Sequence, residues 1–240
     1  MIVAAAALLT ASIVAQDDRL IAPPTIAPGL TTFMFENRAA EPHSIRFVRL
    51  TAPHTSGEFG AWLKTGGAPP AWVSSVGGLA PLAPKGTEEY TTSLAVGSYV
   101  IVDGDRFVAL GVEGKAAGGA TPPVADVEIR MRDHGYQLNA PIPGGKPTLH
   151  LRNVGTEAHQ ALVVRLPDGV TEFAIRAWIA GGSRGAHPGE PVGGALELPA
   201  GSEAWVRLDL PAGRYVLLCG ELEEEGRHFD LGMIYHFEIE

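Results

Sequence analysis

ENRAAEPHSIRFVRL, residues 36–50, and RNVGTEAHQALVVRL, residues 152–166, are two versions of one segment. When the chain is slid along itself by 116 residues, Asn37, Glu41, His43, Arg49 and Leu50 fall on Asn153, Glu157, His159, Arg165 and Leu166. The same shift sets Ala61-Trp62 on Ala177-Trp178, Val76-Gly77-Gly78 on Val192-Gly193-Gly194, and Tyr99-Val100 on Tyr215-Val216. Matches ranging from Gly to Trp at a single offset define two repeats of about 110 residues each.

Inside each repeat the apolar residues alternate over short runs. ADVEIRMR (125–132), KPTLHLRN (146–153), QALVVRL (160–166), AWVRLDL (204–210), GRYVLLC (213–219) and MIYHFEIE (233–240) read as strands separated by turn residues. One helix per unit is predicted, at 171–180 with Thr171 as N-cap and Gly181-Gly182 as the stop, and around 56–64. The expected fold is all-β: two tandem Greek-key β-sandwich domains, each with a short inserted helix. The expected boundaries are a first domain over 16–113, a Gly/Ala/Pro linker over 114–124 and a second domain over 125–240.

The remaining 15 residues open the chain. Ile2 to Ala15 carry no charge, a run too short to span a membrane but suited to the apolar core of a signal peptide cleaved after Ala15. That reading puts the protein in the periplasm or outside the cell, with no membrane span once the leader is gone. A net charge of −9 leaves no basic stripe for nucleic acid.

The chain holds 1 cysteine, Cys219, and so has no internal disulfide. It ends one predicted strand, His228 follows after eight residues, and Met233 opens the last strand. His159 begins a strand after a turn further upstream. A soft thiolate, two imidazoles and a thioether match copper, whereas zinc has little use for the thioether. Each residue also has a plain structural role open to it: Cys219 and Met233 as core, His159 as a turn partner.

The run AGRYVLLC…H…GM…F resembles the C-terminal ligand loop of the cupredoxins, and the whole chain resembles tandem bacterial cupredoxin-like proteins. The resemblance implies one copper in the second domain, with His159, Cys219 and His228 as trigonal ligands and Met233 as the weak axial one. Eight residues between Cys and His is longer than the compact loops of that family.

In the first repeat the offset sets Asp103 opposite Cys219, no histidine follows, and Leu110-Gly111-Val112 is read against Leu231-Gly232-Met233. The scaffold residues persist while the soft donors do not, which marks the donors as a functional set. Trp62 and Trp178 are expected to pack the helices onto the sandwich, and Tyr99 and Tyr215 to form tyrosine corners. His54, His134 and His187 are assigned to solvated loops, and His150 and His236 to outward strand positions.

The functional expectation is therefore a periplasmic copper-binding protein that passes electrons to or from a partner protein. The alternatives are copper carriage or storage without electron transfer, and a metal-free interaction module. With no His-x-His and no histidine beside Cys219, the chain is expected not to be an enzyme, multicopper oxidase and nitrite reductase included.

Overall fold

The computed structural model describes residues 8–116 and 119–240. The first half runs β1 (Leu9–Ala15), β2 (Leu20–Ile21), β3 (Thr25–Ile26), β4 (Gly29–Asn37), β5 (His43–Leu50), α1 (Ser56–Leu63), β6 (Val73–Leu82), β7 (Thr87–Leu94), β8 (Gly97–Asp103) and β9 (Arg106–Val112). The second runs β10 (Val127–Arg132), β11 (Gly135–Leu138), β12 (Thr148–Asn153), β13 (His159–Leu166), α2 (Glu172–Ala180), β14 (Glu190–Leu198), β15 (Glu203–Arg207), β16 (Gly213–Leu218), β17 (Leu222–Glu223), β18 (Gly226–Arg227) and β19 (Ile234–Ile239). The all-β class, the repeated sandwich and one helix per unit stand as the sequence predicts.

The two units join edge to edge. One sheet runs β11-β10-β12-β15-β7-β4-β1-β2 and the other β19-β16-β13-β14-β6-β5-β8-β9-β3, so both cross from one half to the other. At the crossings Leu79 pairs with Ala195 and Tyr90 with Val206, each pair separated by 116 residues. Equivalent positions meeting each other is the mark of a two-fold axis, here passing through both sheets within one chain. A single core extends from Ile13, Phe35 and Phe47 to Ile129, Leu151 and Tyr215.

Each helix covers a satellite cluster built from matched positions. Phe59 of α1 packs on Val48, Leu50 and Val100, and Ile175 of α2 on Val164, Leu166 and Val216. Thr55 closes a full capping box with Glu58 at the start of α1. Turn chemistry is duplicated as well. Asn37 and Asn153 each donate to two carbonyls that brace the turn before β5 or β13. The hydroxyls of Tyr99 and Tyr215 donate to the carbonyls four residues upstream, as the tyrosine corner requires.

The later part of the expected leader forms a strand in this structure. Leu9–Ala15 lies parallel to β4 through seven register pairs, with Ile13 and Ala15 fully buried. β10 takes the same place beside β12 in the second half. A short uncharged apolar run reads equally as a leader core or as a core strand, and only sheet pairing separates the two. In this structure the sheet of the first unit includes Leu9–Ala15, the stretch that the sequence reading assigned to a leader. Residues 1–7, and 117–118 of the expected linker, lie outside the described residues. Among the described residues no helix is long and apolar enough to cross a membrane.

Candidate metal centre

His159 is the first residue of β13, Cys219 follows the last of β16, and Met233 precedes the first of β19. β16 lies between β13 and β19 in the sheet, so all three arrive at the same end of the sandwich. The eight residues after Cys219 are structured: β17 and β18 pair as a small hairpin that turns the chain back to His228. Backbone bonds then lock the turn. Phe229 N–H donates to the Cys219 carbonyl at 3.0 Å, Met233 N–H to that of His228 at 2.8 Å, and Cys219 N–H to that of Met233 at 3.1 Å.

Nδ1 of His159 stands 3.1 Å from Nδ1 of His228, and the Cys219 sulfur is 3.4 Å from that same His228 nitrogen. One donor atom from each of these three residues lies within 4.8 Å of the other two. None of the four, Met233 included, is more than 1% exposed.

Second contacts fix which nitrogen faces inward. His159 Nε2 lies 3.0 Å from Asp133 Oδ1, and His228 Nε2 contacts the Glu223 carboxylate. A carboxylate accepts, so the proton of each ring is assigned to Nε2, which leaves the two Nδ1 atoms facing each other, with that of His228 also beside the sulfur. Partial burial pushes Asp133 up, but hydrogen bonds from Thr156 and His159 outweigh it and hold the carboxyl below its usual value. Burial lowers both imidazoles, keeping them neutral. Burial likewise pushes the Cys219 thiol up to about 12, against a hydrogen bond from Gln160 N–H at 3.2 Å. Two bare imidazole lone pairs and a sulfur converging in a dry site form a donor set that suits a soft or borderline cation.

The first half shows what replaces that set. His43 Nδ1 is 2.7 Å from Asp103 Oδ1, and Arg106 Nη2 is 2.6 Å from Asp103 Oδ2 and 3.1 Å from His43 Nδ1. Register corrects the sequence alignment here. Val102 pairs with Phe107 and Leu218 with Ile234, so Arg106, not Val112, holds the place of Met233. Gly104 and Asp105 replace the entire stretch carrying His228.

Sequence reasoning passed over Asp133 and Gln160 as companions of the site. A signal for Asp133 was present: Asp17 sits 116 residues earlier, and its carboxylate accepts from Ala40 N–H as Asp133 accepts from Thr156 N–H. Other expectations need correction. Trp178 tilts onto His187 at the edge of α2, and Ile175 and Ile179 face the sheet instead. His134 is not merely solvated, since its ring packs edge-on against His228 with centroids 5.7 Å apart. His187 is half-buried and bonded to Gly189.

No family model and no curated protein matches the chain. Among solved structures it is similar to a dithionite-reduced auracyanin from Roseiflexus castenholzii, at 19% identity and a TM-score of 0.36, over 47% of this chain and 94% of that one. It is also similar to a blue copper oxidase and a copper nitrite reductase from Nitrosomonas europaea, at 14% and 12% identity, each with a TM-score of 0.27. These matches cover 96% and 97% of this chain and 85% and 93% of theirs. Copper enzymes stand among these structures, and the expectation that the chain is not an enzyme is withdrawn. In architecture the chain is a pair of β-sandwiches, one of them carrying a candidate His/Cys/His metal site.

Proposed function

We propose that this protein binds one copper ion in its second half, held by Nδ1 of His159, the thiolate of Cys219 and Nδ1 of His228, with Met233 alongside. The observation that carries this reading is the convergence of those three donors, fully buried, with both imidazole Nε2 atoms committed to carboxylates. Bound copper would supply a one-electron couple between Cu(II) and Cu(I). The chain's own part is to orient and to exclude. Asp133 holds the His159 ring, Glu223 the His228 ring, and Gln160 N–H steadies the sulfur. The surrounding core keeps water out. Loading requires Cys219 to release its proton, which burial opposes, so the ion must displace it.

Electron exchange with a partner protein is the activity proposed for the site. The hairpin tip beside it exposes Leu222, Glu224 and Glu225, a surface that would attract a basic partner. A second reading, copper carriage without electron transfer, is favoured by the roof over His228: its side chain is 1% exposed beneath Glu157 and Glu223 and offers no open ring edge.

Titration with Cu(II), with Cys219→Ala as control, tests the proposal. An intense thiolate-to-copper band near roughly 600 nm, absent from the variant, is expected. Tight Cu(I) binding without that band would favour carriage, and no binding of either ion would end the copper reading.

A further inference from the structure

The His228 ring separates two groups of donors. Its Nδ1 faces His159 and Cys219, while its Nε2 faces His134, Glu157 and Glu223 on the solvent side. One donor atom from each of His134, Glu157, Glu223 and His228 lies within 4.8 Å of the others. These four residues come from separate places: the turn between β10 and β11, the loop between β12 and β13, the hairpin strand β17, and the segment after β18.

Orienting His228 explains only part of this group. One carboxylate suffices to accept the Nε2 proton, and Glu223 already touches it. Glu157 is surplus to that task. Its Oε2 lies 3.6 Å from His228 Nε2, is enclosed, and has no hydrogen-bond partner. Among the described residues neither Glu157 nor Glu223 is paired with a lysine or arginine. Two carboxylates and an imidazole drawn together around a proton-sharing nitrogen, without a basic side chain, are arranged for a cation.

We propose that His134, Glu157, Glu223 and Nε2 of His228 form a second site, for a divalent cation of borderline hardness such as zinc. Two nitrogen and two carboxylate donors are an ordinary set for that ion, which binds them at about 2.0–2.2 Å. The cation takes the place of the proton that His228 shares with Glu223; with the inner site empty that proton moves to Nδ1, and with both sites filled it leaves to solvent. When both sites are filled, His228 bridges them. The inference rests on the copper reading only through this shared ring.

Zinc binding to the full chain, followed by calorimetry with far-UV circular dichroism as the folding control, tests it. Zinc also accepts a thiolate and two imidazoles, so the unaltered protein should take two equivalents. Cys219→Ala should keep one. Adding His134→Gly and Glu157→Gln to that variant should weaken the remaining equivalent by at least about tenfold. His134→Gly with Glu157→Gln alone should leave the copper–thiolate band intact. A single equivalent that vanishes with Cys219→Ala would overturn the proposal, as would a second equivalent indifferent to His134→Gly and Glu157→Gln. Failure of the copper reading would appear separately, as a missing band with the second zinc retained.

Discussion

His43 and Asp103 lie 60 residues apart in sequence and 2.7 Å apart between Nδ1 and Oδ1, at the positions His159 and Cys219 occupy in the second half. Arg106 completes the trio in the place of Met233. One half therefore closes this end of the sandwich with its own guanidinium cation, while the other gathers neutral donors there.

Removing that guanidinium leaves Asp103, whose side chain is 4% exposed, without its charge partner. Arg106→Ala should lower stability by about 2–3 kcal/mol, read from urea unfolding. Adding Asp103→Asn to it should recover part of the loss, because the uncompensated charge disappears. Equal stability of the single and double variants would contradict the pairing.

Glu88 makes stability depend on pH. It is 2% exposed near the crossing of the halves, with one oxygen accepting from Gly194 N–H at 2.9 Å and the other unpartnered. Desolvation raises its pKa well above the ordinary carboxylate value of 4.5, outweighing that hydrogen bond. The unfolded chain therefore loses this proton at lower pH than the folded one. The contribution is fully present below 4.5 and is lost as pH rises through the raised folded value, by about 1.4 kcal/mol per pH unit across that window. Glu88→Gln should flatten this part of the stability–pH curve. An unchanged slope would count against a buried neutral carboxyl.

β1 should be required for folding of the first half. A chain beginning at residue 16 loses seven register pairs with β4 and the buried side chains of Ile13 and Ala15. It should be insoluble or melt far below the full chain, and mass spectrometry of protein purified from cells should find residues 9–15 present. A stable chain starting at residue 16 would restore the leader reading.

Gly194 has φ of +115°, and a Cβ there would stand 1.9 Å from the Ala161 carbonyl oxygen. Its equivalent Gly78 meets the Ile45 carbonyl at 2.0 Å without a positive φ. Gly194→Ala should cost about 3 kcal/mol through clash and strain together, and more than Gly78→Ala. Paired thermal melts decide the order.

Much of this was legible along the chain. Period-two alternation marked β12, β13 and β19, β16 was marked instead by a continuous apolar run that is buried on both faces, and Thr171 and Gly181 flank α2. His159, Cys219, His228 and Met233 were legible as soft donors around a strand end. The role of Leu9–Ala15 was not, since an apolar strand and a leader core share one composition. Nor was the equivalence of Arg106 and Met233, because an insertion slides the sequence match while hydrogen-bond register does not slide.

The sequence by itself determined the repeat, the strand-rich fold and the identity of the inner donors, since each depends on residue type and spacing along one dimension. The tertiary structure alone decided that both sheets run through the two halves. It also brought Asp133, Glu157 and Glu223 to the imidazoles from distant turns and put an arginine where the first half lacks a thioether. Those facts depend on which strand edges pair and which loops meet in space, and nothing in the local chemistry of any one segment specifies its partner.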